Sequence, residues 1–142
     1  MSRIVFITET KSKPMVEFLL AQLKKELSRI IIVRKWRSAC ESYAALLMRL
    51  SELLPYPIIR NLDEKLGITL AWNYATKPSI ETKSVLMRKI QELKPSDIQS
   101  ILDEFAQYFN ISLPNIEDII QLYLEGKIGE RELTELINSR LR

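Results

Sequence analysis

The chain has 142 residues and a mass of 16.6 kDa, the usual size of one domain, and its 46% hydrophobic content is enough to build a proper core. It carries no histidine and a single cysteine, which excludes Cys–His zinc clusters, Ser–His and Cys–His nucleophiles, disulfide frameworks and imidazole acid–base chemistry within the chain. Lys and Arg exceed Asp and Glu by 21 to 18, a formal charge of +3, which suits a nucleic-acid partner without demanding one.

Arg3 to Thr8 is a short apolar run rich in β-branched residues and predicts a strand buried on both faces. Ser12 as a cap, Pro14 in the first turn and the stripe Met15, Phe18, Leu19, Leu23 and Leu27 predict a helix directly after it. Ile30 to Val33 is a second continuous apolar run, so the opening reads as a β-α-β unit. Ser38 and Glu41 then form an S-x-x-E capping box ahead of Tyr43, Leu47, Leu50 and Leu54, and Pro55 and Pro57 stop that helix. Cys40 falls in its first turn, where packing explains it better than reactivity.

Asn61 with Glu64 repeats the capping pattern before a segment in which Leu66, Leu70, Asn73 and Tyr74 share a helical face. Gly67 costs such a helix about 1 kcal/mol, and a strand over Ile68 to Trp72 is the competing reading. Thr76 to Ser79 reads as a polar loop around Pro78, and Ser84 to Ile90 fits strand and helix periodicity alike. Pro95 opens a helix with Ile98, Ile101, Leu102, Phe105 and Phe109 on one face, ending near Asn110. Asn115 caps another, with Ile116, Ile119, Ile120 and Tyr123, closed by Gly126; Leu133, Leu136, Ile137 and Leu141 mark the last. The expectation is a mixed α/β (α+β) fold in a single domain over 1–142: an N-terminal β-α-β unit, a small sheet of three to four strands packed with several helices, and a helical C-terminal half with 94–142 as a subregion.

The first residues lack the apolar core and cleavage site of a secretory signal, and no apolar run approaches the ~18 residues of a membrane span. A cytoplasmic protein with no membrane partner is expected. The acidic residues Glu9, Asp63, Asp97 and Asp103 are scattered as caps and helix surface would scatter them. Glu9, just after the first run, resembles the start of a TOPRIM metal site, but Arg34-Lys35-Trp36 stands where such a site continues toward its acidic pair. Neither a G-x-x-x-x-G-K-S/T nor a G-x-G-x-x-G phosphate cradle occurs. No catalytic residue, metal or cofactor is expected. Arg34-Lys35-Trp36-Arg37 sets three cations around an indole that could stack on a base, while Lys77, Lys83, Arg88 and Lys89 cluster near the polar loop.

The order of elements, the segment W-N-Y-A-T-K-P-S-I from Trp72 to Ile80 and the I-I-Q-L-Y of Ile119 to Tyr123 resemble the archaeal-type kinase-binding accessory subunit of the KEOPS complex, the TPRKB family. The resemblance implies a non-catalytic regulatory subunit that binds the small atypical kinase or ATPase subunit of KEOPS. It also implies engagement of the tRNA 3′ end during threonylcarbamoyladenosine modification, and a strand over Ser84 to Ile90. By that resemblance Thr76, Lys77 and Ser79 would contact tRNA, with Arg37 and Lys83 as phosphate partners, and Leu133, Leu136 and Ile137 would face the kinase. A protein-interaction adaptor unrelated to tRNA and a TOPRIM-like metal-dependent nucleic-acid enzyme are the alternatives.

Overall fold

A computed structural model describes residues 12–36 and 40–142. Those residues form eight helices: α1 (Lys13–Trp36), α2 (Cys40–Leu53), α3 (Tyr56–Leu66), α4 (Ile68–Thr76), α5 (Ile80–Glu92), α6 (Pro95–Phe109), α7 (Glu117–Leu124) and α8 (Glu130–Arg140). No strand occurs among the described residues, so the expected α/β fold with a small sheet is corrected to an all-helical bundle. The first predicted strand, Arg3 to Thr8, lies outside the described residues.

The second predicted strand, Ile30 to Val33, is the C-terminal third of α1, which removes the β-α-β unit. No Gly or Pro interrupts the chain between Met15 and Trp36, so nothing ends the helical hydrogen-bond ladder before the β-branched run. Placing such residues in a helix costs up to ~0.7 kcal/mol each. Ile30 and Ile31 are fully buried, and burying such a side chain contributes ~1.5–3 kcal/mol, so packing outweighs propensity. A lone strand here would also leave its backbone groups without a ladder, whereas the helix bonds them internally.

α1 is the spine of the bundle, packing against α2, α5, α6, α7 and α8; α4 seats on α2, and α3 on α6. One hydrophobic cluster runs from Val16 through Tyr43, Leu47, Leu62, Leu86, Phe105 and Tyr123 to Leu141. Tyr43, buried between helices, donates its hydroxyl to the Leu66 carbonyl at 2.7 Å, and burial pushes its phenol well above the ordinary range.

Several expected boundaries move for identifiable reasons. Asn61 does not cap a helix. Pro55 begins the turn, its carbonyl accepting from Ile58 and Ile59, and Asn61 lies inside α3 with its amide donated to Glu104 at 2.9 Å. The competing strand at Ile68 to Trp72 is α4. Gly67 does not sit inside one helix; with φ 76° it is the left-handed hinge between α3 and α4. Lys89 reaches the end of α3, donating to the Glu64 carbonyl at 2.9 Å. Ser84 to Ile90 belongs to α5, with Leu86 and Ile90 fully buried, against the strand that the resemblance implied.

The C-terminal half follows its sequence pattern closely. α6 ends at Asn110 in the left-handed region, φ 53°. Asn115 accepts from the Glu117 N–H at 2.8 Å, and buried Gln99 takes the Ile116 N–H at 2.8 Å. After α7, Lys127 N–H returns to the Leu122 carbonyl around Gly126, φ 77°, a Schellman closure. At Gly67 an added Cβ would adopt a disfavoured φ and meet Lys89 Cγ at 3.2 Å. Gly67→Ala should therefore lower stability in urea denaturation by about 1–2 kcal/mol, whereas Gly129→Ala, where a Cβ meets open space, should change it by less than about 0.5 kcal/mol.

Candidate functional site: the α4–α5 corner

α4 stops where Pro78 cannot continue it. Lys77 closes the helix with extended geometry, its N–H returning to the Asn73 carbonyl. Ser79 then caps α5, accepting from the Thr82 N–H at 3.1 Å and donating to the Thr82 hydroxyl at 2.8 Å. Thr76 Oγ1 donates back to the Trp72 carbonyl at 2.9 Å. Thr76, Lys77, Ser79 and Lys83 thus gather at one corner, yet the two hydroxyls are engaged in capping and back-bonding. The ammonium groups of Lys77 and Lys83, both exposed, are the groups left for a partner. Arg37 lies outside the described residues.

The corner has an apolar component that the sequence reading did not single out. Ile80 is 87% exposed, Trp72 55% and Val85 43%. Trp72 falls off the face shared by Leu66, Leu70 and Tyr74, a signal available in the helical pattern. Ile80 is exposed because it is the first residue of α5, held outside the core by the Ser79 cap.

Beneath the corner, Tyr74 donates to Glu41 Oε1 at 2.9 Å. The Glu41 backbone N–H at the start of α2 and then the Tyr74 hydroxyl hold the Glu41 carboxyl below its ordinary 4.5, while the same bond raises Tyr74. Cys40 is buried, and burial pushes its thiol up, in keeping with packing.

The cations at the end of α1 are engaged internally. Arg34 Nε donates to the Leu93 carbonyl at 2.7 Å. Lys35 Nζ stands 4.4 Å from the Tyr123 ring centre and 5.6 Å from that of Trp36. Trp36, 61% exposed, donates its indole N–H to Glu130 at 3.3 Å. Instead of an open stacking platform, the predicted basic–indole motif is a clasp between α1, α7 and α8. Of the residues expected to face a kinase, Leu133 and Ile137 are fully buried and Leu136 is 37% exposed.

Glu9 lies outside the described residues, and among those described no group of three or more His, Cys, Asp or Glu side chains could share a metal ion. Asp63 caps Thr69, Asp97 caps Lys94 and Asp103 accepts from Gln99, as scattered acids in a helical surface do. No described helix is long and apolar enough to cross a membrane. No protein-family model, curated protein or solved structure matches the chain.

Charge is divided along the chain. Residues 1–94 contain 17 Lys or Arg against 9 Asp or Glu, while residues 95–142 contain 4 against 9. The corner therefore belongs to the basic part, and α6 to α8 to the acidic part.

Two measurements follow from these environments. Because Glu41 binds its proton less readily folded than unfolded, the stability it supplies is complete above its unfolded pKa near 4.5 and lost as pH falls through the lower folded value. The urea midpoint of the wild type should fall below pH 4.5, and that of Glu41→Gln should fall less over the same range. The Tyr123 hydroxyl is buried beside Trp36 and Glu130, with neither in ordinary hydrogen-bond geometry, so Tyr123→Phe should leave stability unchanged or raise it by about 1 kcal/mol; a loss above about 1 kcal/mol in denaturant titration would show that the hydroxyl is bonded to one of them.

Proposed function

We propose that the chain is a helical interaction module whose α4–α5 corner docks a partner protein. The observation that carries this reading is the exposure of three large apolar side chains, Trp72 on α4 and Ile80 and Val85 on α5, in the stretch that also carries the exposed Lys77 and Lys83. Exposed apolar clusters rimmed by polar residues mark contact surfaces, and tryptophan is the residue most often found to dominate binding energy at them. Lys77 and Lys83 favour an acidic rim on the partner and would speed encounter more than they deepen affinity.

A second reading rests on Thr76, Lys77, Ser79 and Lys83 lying close in sequence to the exposed Trp72 indole, which suits a single-stranded RNA end: bases would stack on the ring while the lysines neutralise phosphates. The KEOPS accessory subunit, which would bind a kinase or ATPase subunit and the tRNA 3′ end in the cytoplasm, is the particular form of that reading. Its sheet, however, has no counterpart among the described residues.

Photo-crosslinking from position 85 in cells of the source organism tests the first reading. One protein should be trapped, and Trp72→Ala should weaken its binding roughly thirtyfold, or about 2 kcal/mol. The reading fails if no protein is trapped, or if Trp72→Ala leaves the trapped set unchanged. In parallel, intact tRNA and tRNA trimmed at its 3′ end are titrated at two salt concentrations with wild type and Lys77→Ala. Loss on trimming, salt sensitivity and further loss in Lys77→Ala would move the assignment to RNA; equal or absent binding would remove the RNA reading.

A further inference from the structure

Away from the corner, two hollows meet along the seam between α1 and α2. One, of about 280 Å³, is lined by Gln22, Glu26, Glu52, Leu53 and Arg49. The other, of about 320 Å³, has Ile32, Val33, Ala45 and Leu46 as its apolar walls, with Arg29 and Arg49 at its edge. Arg49 lines both, so the hollows form one trough with a polar half, an apolar half and a guanidinium between them.

The charges at that junction are unevenly placed. Glu26 is buried at 6% exposure, with both carboxylate oxygens 3.2 Å from Arg29 Nη1 and one of them 3.8 Å from Arg49 Nη1. A single carboxylate thus faces two guanidiniums. Both arginine side chains are more than half exposed. Arg49 makes this ion pair and no hydrogen bond among the described residues, so its donors remain for an incoming acceptor. Glu52 adds a carboxylate to the polar hollow alone, and the apolar hollow has none.

We propose that this trough binds an amphipathic monoanion, a medium- or long-chain carboxylate, with its tail along Ile32, Val33, Ala45 and Leu46 and its head bridging Arg29 and Arg49. Both guanidiniums line the apolar hollow and no carboxylate does, so an anionic head placed there meets Arg29 and Arg49 while Glu26 and Glu52 line the polar hollow. An arginine fork matches a carboxylate geometrically. The volume of the apolar hollow, about 320 Å³, lies at the lower end of the ~300–1,000 Å³ of small-molecule pockets. That volume suits a single flexible chain.

The test is isothermal titration of the purified chain with decanoate below its micelle concentration, beside decanol and decyltrimethylammonium. Decanoate should bind with one-to-one stoichiometry and at least tenfold more tightly than either control. Arg49→Gln should erase that advantage, and Ala45→Phe should abolish binding by filling the apolar half. Circular dichroism and thermal melting confirm that both variants fold. The proposal is overturned by absence of saturable decanoate binding, by equal binding of decanol and decanoate, or by an affinity indifferent to Arg49→Gln. Binding that survives Ala45→Phe, or saturation by an acidic amphipathic peptide in place of decanoate, overturns it as well. The trough and the α4–α5 corner share no residue, so the failure of one reading leaves the other standing.

Discussion

The bundle depends on the burial of one uninterrupted helix. α1 runs 24 residues, about 36 Å at 1.5 Å per residue, and five other helices lie against it. Ile30 and Ile31, from the β-branched run that local propensity assigns to a strand, are as fully buried in it as Leu23 and Leu27. Because a helix satisfies its backbone groups internally, α1 can present Leu23, Leu27, Ile30 and Ile31 to different neighbours at once and leave no polar group stranded in the core. A strand at the same place would need partners on both edges, and helices occupy the space where those partners would stand. The all-helical architecture follows from that single assignment.

Its consequences reach the surface. The end of α1 delivers Lys35 and Trp36 to Tyr123 and Glu130, joining the first described helix to the last by contacts across 94 residues of sequence. The residues that looked most like a nucleic-acid platform are thereby occupied in holding α8 to the spine. Farther back on the same helix, Glu26 gathers Arg29 and Arg49 at the α1–α2 seam. One helix supplies much of the core, the C-terminal clasp and charged lining of the trough, while the α4–α5 corner is tied to α2 through the packing of α4 on it.

The legibility of the sequence was uneven, for physical reasons. Where a helix had both a periodic stripe and a terminator, as from Pro95 to Asn110 or from Asn115 to Gly126, pattern and structure agree, because capping and burial favour the same conformation. The same holds for Tyr43, Leu47, Leu50 and Leu54, all buried. The short continuous apolar run Ile30 to Val33 misled, since it carries no periodicity and its state is decided by neighbours distant in sequence; over Ile68 to Trp72 the helix formed and not the competing strand. Asn61 misled differently: a cap signature inside a helix is silent once Pro55 has already begun the turn. Of the candidate site, the grouping of Thr76, Lys77, Ser79 and Lys83 was legible because they are close in sequence. The engagement of their hydroxyls, the burial of Leu133 and Ile137 and the seating of Lys35 over Tyr123 were not, since each depends on a tertiary neighbour.

The division of charge links these surfaces. The basic excess of residues 1–94 and the acidic excess of residues 95–142 nearly cancel in the total, which is why a formal +3 says little about partners. Within the basic part the lysines and arginines are interleaved in sequence with Glu41, Glu64, Glu81 and Glu92. On the proposed reading, recognition at the corner comes from apolar contact at Trp72, Ile80 and Val85, with charge setting orientation and rate. At the α1–α2 trough the balance is reversed. The apolar walls are small, and the proposed preference for an anion rests on two guanidiniums lining a hollow that no carboxylate lines.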